Sequence, residues 1–185
     1  EVLQLVIDDK LRTTEPYTIS RYAEYISNGI PWKFDEVSDF RSVSHDFLES
    51  FKVISISNLS VKKAFLQEEA LFDLLVIDEA SQSDISSSLP LIYRAHRVVI
   101  LGDPLQLPHI TSIKDTEQDF IANELSIATT DHNYVKDSLF LKSYKVSNNN
   151  AFQSTFLNEH YRCHPQIIEF SNTHFYKAKA GQNLV

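Results

Sequence analysis

The chain has no methionine, one cysteine and three glycines among its 185 residues, and each scarcity excludes something. Without methionine, Glu1 is not a natural start, so the chain is expected to be cut from a longer polypeptide. The single cysteine, Cys163, excludes an internal disulfide and a cysteine-built zinc site, and it fits a reducing, intracellular setting. Gly29, Gly102 and Gly181 include no pair spaced for the phosphate-cradling loop G-x-x-x-x-G-K-S/T, so that loop is missing. No run of about 18 apolar residues exists to span a membrane, and the N-terminal stretch does not read as a secretory signal. Basic residues are outnumbered, 17 to 25, and the net charge of −8 argues against a general polyanion binder. A local basic groove remains compatible with it.

What is present is ordinary globular sequence, 43% hydrophobic and 23% charged, long enough for one domain or one and a fraction. Residues 1–52 read as mostly helical and polar-amphipathic, with a break at Gly29-Ile30-Pro31 and an acidic pair at Asp35-Glu36. They carry no motif. The texture then changes. Val53 to Ser57 alternates with β-branched residues and reads as a strand, and Leu71 to Ile77 reads as a strand buried on both faces. The second run ends abruptly in Asp78-Glu79. Arg97 to Leu101 is another such run, ending in Gly102-Asp103-Pro104. Ile85, Leu89 and Ile92 fall between them at helical spacing, although Pro90 should bend that helix. Strand, helix, strand is the pattern of a parallel α/β sheet, where ligands bind outside the carboxyl ends of the strands. Ser147-Asn148-Asn149-Asn150 reads as an exposed loop. Pro165 suits the first turn of a late helix, with Ile167, Ile168, Phe175 and Tyr176 on one broad face.

Three segments carry chemistry. In Val76-Ile77-Asp78-Glu79-Ala80-Ser81-Gln82, two adjacent carboxylates at a strand end repel each other, and a hydrated magnesium ion beside substrate phosphates would offset that cost. The second carboxylate can then accept a proton from an attacking water. The plainer reading is that Asp78 caps a helix beginning at Glu79. In Leu101-Gly102-Asp103-Pro104-Leu105-Gln106-Leu107-Pro108-His109, glycine lets backbone pass close to a neighbour and aspartate anchors a tight turn. Gln106 there offers both a donor and an acceptor. In Glu159-His160-Tyr161-Arg162-Cys163-His164-Pro165, a guanidinium that cannot lose its charge suits a transferring phosphoryl group. The plainer reading is an interface salt bridge. Zinc on His160 and His164 lacks a third ligand.

The ordered set DEASQ, GDPLQLPH and EHYRCHPQIIEFSNTHFY, with roughly 20 and 50 residues between members, resembles motifs II, III and IV of superfamily 1 helicases. The likeness is greatest to the AAA-type group that includes the nonsense-mediated-decay helicase. It covers residues 53–185. What it implies is a three-layer α/β/α P-loop NTPase fold of RecA type, built on a parallel sheet and present as a partial domain. Residues 53–155 would be the rear half of the first motor domain, 156–185 the start of the second, and 1–52 a helical segment or insertion. ATP and Mg2+ would be the cofactors, and single-stranded or duplex DNA or RNA the partner. The remainder of the same chain would be the other partner, in the cytoplasm or nucleus and away from any membrane.

By the same resemblance Asp78 would hold the magnesium through its water shell and Glu79 would activate the hydrolytic water. Gln82, Gly102, Asp103 and Gln106 would form the nucleotide-coupling set, and Arg162 would reach the γ-phosphate from the second domain. Ser55, Ser57 and His109 would lie on the nucleic-acid side. His109 replaces a proline of the family pattern, and Cys163 replaces a common methionine as a small packed residue. Translocation would run 5′ to 3′, and this chain alone, lacking the phosphate loop, would hydrolyse no ATP. Two rivals are a catalytically degenerate helicase-like scaffold and a different P-loop ATPase. An upstream sequence without the loop would favour the first, and the second would not carry the QLP turn followed by YR-x-HP.

Overall fold

The structure, a computed structural model, describes residues 16–29, 34–127, 133–149, 155–181 and 183–185. Its contacts divide the chain into two compact units, Glu1–Leu75 with Ser86–Arg97, and Val76–Ile85 with Val98–Val185.

In the first unit, α1 (Pro16–Asn28) buries Thr18, Tyr22 and Tyr25, a spacing that keeps one face of a 3.6-residue helix inward. Helix α2 (Phe34–Ser50) supplies Phe40 and Val43, which close a core with Tyr22, Tyr25 and Leu66. Tyr22 stacks on Phe47 with ring centroids 4.0 Å apart, and its hydroxyl donates to the Ala64 carbonyl at 2.6 Å. The expected break is present: α1 stops at Asn28, and Gly29, at φ 90, donates its N–H to the Tyr25 carbonyl at 2.8 Å. Ile30 and Pro31 lie outside the described residues. A second core gathers Val61, Ala64, Phe65 and Leu91 around the short α3 (Val61–Ala64). Beside it the buried Arg94 donates to three carbonyls, Leu66 and Pro90 at 2.6 Å and Phe65 at 3.3 Å. Loss of water pushes its pKa down, and those carbonyl bonds are what make the burial tolerable.

The strand expected over residues 53–57 does not form. Ile54 and Ile56 pack onto the second core while Val53 stays 79% exposed, so the alternation serves side-chain packing without a partner strand.

The other two strands pair in parallel. Strand β1 (Leu75–Ile77) leads through α4 (Ile85–Tyr93) to β2 (Val98–Ile100), a mixed α/β arrangement on a parallel sheet. The ladder runs from Leu75 N–H to the Arg97 carbonyl at 2.9 Å, then from Leu101 N–H to the Ile77 carbonyl at 2.8 Å. Pro90 sits inside α4 without ending it. Burial on both faces is not observed. Ile77 is 4% exposed, but Val76 and Val99 are 52% and 41% exposed, because only one face of the ladder is covered among the described residues.

In the second unit, α5 (Asp115–Glu124) opens with the Glu117 carboxylate accepting the Lys114 N–H at 2.9 Å. Helix α6 (Leu139–Asn149) runs through Ser147, Asn148 and Asn149, where a loop was expected; Asn150 lies outside the described residues. Leucine and phenylalanine at its start outweigh the asparagines at its end. Helix α7 (Pro165–Ser171) has Pro165 in its first turn as expected, with His164 Nδ1 accepting the Gln166 N–H at 3.4 Å. It continues as a π-helix, Asn172–Ala180. The wider π turn ends the 3.6-residue count on which a shared face for Ile167, Ile168, Phe175 and Tyr176 was based. Buried Asn172 fixes this helix to the chain end, donating to the Leu184 carbonyl at 2.8 Å and accepting its N–H at 2.9 Å. No helix among the described residues is long and apolar enough to cross a membrane.

Candidate active site

Parallel pairing puts the carboxyl ends of β1 and β2 at one edge, so Asp78-Glu79 and Gly102-Asp103 leave the sheet side by side. Two contacts join the departing loops. Ala80 N–H donates to the Leu101 carbonyl at 2.8 Å. Ser81 Oγ, buried, donates to the Asp103 carbonyl at 2.8 Å and accepts the Asp103 N–H at 2.7 Å. One hydroxyl thereby satisfies both backbone groups of the aspartate.

On the first loop, Asp78 does not cap a helix: among the described residues its Oδ1 accepts only the adjacent Glu79 N–H, at 2.9 Å. Glu79 stands in the left-handed region at φ 51, ψ 37, a costly setting for a residue with a side chain. That turn swings the chain into a short 3-10 segment, Ala80–Gln82, and leaves both carboxylates exposed. Gln82 Nε2 lies 3.5 Å from the Glu79 carboxylate.

On the second loop, Gly102 is required by space. A Cβ there would meet Phe140 Cδ2 at 2.6 Å and Ser81 Oγ at 2.8 Å. Asp103 anchors the turn by accepting the Leu105 N–H on Oδ1 at 2.9 Å, and its Oδ2 accepts from Gln106 Nε2 at 3.1 Å. The same Oδ2 accepts the Tyr176 hydroxyl, which arrives from the π-helix. Burial and the Asp103 carboxylate push the Tyr176 phenol up to about 12, so it stays a donor at neutral pH.

His109 closes the turn from inside. It is buried, and its Nε2 faces the Tyr134 carbonyl at 2.8 Å; a carbonyl only accepts, so Nε2 carries the proton. Its Nδ1 has no partner among the described residues. An open groove of about 300 Å³ lies against Gln82, Leu107, Pro108, His109 and Ile110.

Thus Asp78, Glu79, Gln82, Gly102, Asp103, Gln106 and His109 all lie within the loops at one sheet edge of the second unit. Arg162 belongs to the same unit but sits on an exposed turn, without a hydrogen bond or ion pair among the described residues. Ser55 and Ser57 belong to the first unit, where Ser57 Oγ shares a 2.9 Å hydrogen bond with Ser60 Oγ. Sequence reading missed Ser81 and Tyr176. Ser81 lies inside the quoted DEASQ run, so its position was visible although its contact was not. Tyr176 ends the quoted EHYRCHPQIIEFSNTHFY run, so its position too was visible, but its partner is distant in sequence and its contact was not. No group of three or more potential metal ligands occurs among the described residues, so the zinc alternative at His160 and His164 gains no further ligand.

Residues 26–113 match the model of a family described as an AAA domain. The chain is 34% identical over 109 residues to Helicase SEN1 of Saccharomyces cerevisiae, which covers 58% of this chain and 4% of that protein. Over 120 residues it is 29% identical to the probable helicase senataxin of Homo sapiens, covering 60% of this chain and 4% of the relative. It is 29% identical over 131 residues to the uncharacterized ATP-dependent helicase MG140 of Mycoplasma genitalium, covering 63% and 11%. The chain therefore spans a small part of each relative's length. Helicase relatives from yeast, human and a mycoplasma meet here a matching AAA domain model over residues 26–113 and acidic and amide groups at adjacent ends of a parallel sheet: over this stretch the chain is similar to superfamily 1 helicases.

Proposed function

We propose that this chain forms part of an ATP-driven motor that translocates on and unwinds DNA or RNA in the 5′ to 3′ direction, inside the cell. The observation that carries the reading is the convergence of Asp78-Glu79 and Asp103-Gln106 at neighbouring strand ends, stitched by Ser81. The site's donor set suits a nucleotide with magnesium. Asp78 is exposed and uses one carboxylate oxygen on Glu79, leaving the other for a metal-bound water. Mg2+ keeps most of its waters and takes few protein ligands, so a single carboxylate is compatible with it. When bound, the ion would screen charge on the phosphates.

The chain's own residues then divide the work. Glu79, exposed beside Asp78, draws a proton from the attacking water. Gln106 and Gln82 report the state of the γ-phosphate to the turn held by Asp103 and Gly102. Arg162, without a hydrogen bond or ion pair among the described residues, is available to stabilise the terminal phosphate once the segment opening at residue 156, read as the start of the second motor domain, closes. Ser55, Ser57 and the His109 loop face nucleic acid. The half-open apolar face at Val76 and Val99 suits cover by the remainder of the motor.

The test is ATP hydrolysis by the full-length protein with and without single-stranded DNA or RNA. Glu79→Gln should lower stimulated turnover by roughly 100-fold or more. The 185-residue chain alone should release no phosphate. Turnover by that chain, or full turnover by Glu79→Gln, sinks the reading.

A further inference from the structure

Asp103 Oδ2 is shared between two donors from opposite ends of the second unit's sequence, Gln106 Nε2 at 3.1 Å and the Tyr176 hydroxyl. The bond from a hydroxyl to a carboxylate is charge-assisted and among the stronger side-chain contacts available. Tyr176 is half-buried, on the continuous helix that begins one residue after His164. That helix is not free to slide: buried Asn172 holds both backbone groups of Leu184, the Val185 N–H donates to the Asn158 carbonyl at 2.7 Å, and the Val185 carbonyl accepts the His160 N–H at 3.0 Å. The segment bearing Arg162 thus begins at backbone held to Val185 by two hydrogen bonds and ends at a pinned helix. Tyr176 ties it by side chain to the Gly102–Gln106 turn, at Asp103.

We propose that Tyr176 is a positioning residue that couples the Arg162 segment to Gln106 through Asp103. The proposal rests on the motor reading above. A shift of the helix after Arg162 pulls on Asp103 Oδ2, and the same oxygen holds the Gln106 amide, so the orientation of that amide follows the helix. Arg162 and Gln106 then respond together instead of independently. Tyr176 touches neither nucleotide nor nucleic acid in this role.

Two readouts separate this inference from the motor reading. In the 185-residue chain with 15N-labelled glutamine, Tyr176→Phe removes the hydroxyl and keeps the ring. The Gln106 side-chain amide resonances should move and those of exposed Gln67 should not; unmoved Gln106 resonances overturn the tie. In the full-length protein, Tyr176→Phe should lower nucleic-acid-stimulated kcat about tenfold, the scale of one lost charge-assisted hydrogen bond, with KM for ATP within about twofold. Unchanged stimulation, or an equal loss in the Tyr176→Phe variant without nucleic acid, overturns the coupling role. Wild-type protein that hydrolyses no ATP refutes the motor reading and the coupling with it, while the resonances still report whether the tie exists.

Discussion

The two units put their buried polar groups to opposite uses. In the first, Tyr22 and Arg94 donate to backbone carbonyls at Ala64, Phe65, Leu66 and Pro90, so the polar atoms lock the frame around aromatic cores. In the second, Ser81 and Tyr176 both end on Asp103, and the turn they fix exposes Asp78, Glu79 and Gln106 to solvent. One network holds packing; the other holds the loops at the carboxyl ends of the two strands. Stability and chemistry are thereby drawn from different residues, and substitutions should separate them.

The largest expected effect lies in the first unit. Phe40 is fully buried, with Tyr25 edge-on to its ring at 5.1 Å. Phe40→Ala should cost about 3–5 kcal/mol in denaturant unfolding, whereas Ile110→Ala in the second unit, 99% exposed, should change it by less than about 0.5 kcal/mol. Equal effects would erase the distinction between a packed frame and an open edge. A smaller loss is expected at Gly102, where an added methyl meets Phe140 and Ser81 inside 3.0 Å. Gly102→Ala should cost about 1–3 kcal/mol by overpacking, measured the same way, and should disturb the Asp103 turn while leaving the first unit's aromatic signals in place. The smallest effect has the opposite sign. Glu79 is held at φ 51, and Glu79→Gly should raise stability by about 1 kcal/mol while stimulated ATP turnover by the full-length protein collapses. A glycine variant that is both less stable and active would remove the argument that strain is kept here for function.

The parallel strands were legible because Leu71 to Ile77 and Arg97 to Leu101 are apolar runs that end sharply in polar residues, and such ends are local facts. The helix break at Gly29 and the first turn at Pro165 were legible for the same reason, since both depend on one residue's backbone. Residues 53–57 misled because alternation records which side chains are buried, not what buries them; Ile54 and Ile56 found a helical core instead of a strand. The tail of α6 misled because the polar run Ser147–Asn149 was read alone, while the helix begun at Leu139 carried through it. Tyr176 was illegible as a partner, because its bond to Asp103 joins positions that no local pattern relates.

By itself the sequence determined the kinds of group at the candidate site and their order along the chain, because carboxylate, amide and guanidinium chemistry belongs to the residue. It determined the strand ends too, because hydrophobic runs and glycine or proline stops act over a few neighbours. Only the tertiary structure decided that Asp78-Glu79 and Asp103-Gln106 meet, that Ser81 joins them and that Tyr176 reaches Asp103. Those contacts depend on parallel strand pairing and on a helix pinned at its far end, and such long-range hydrogen bonds leave no periodicity in the residues that make them.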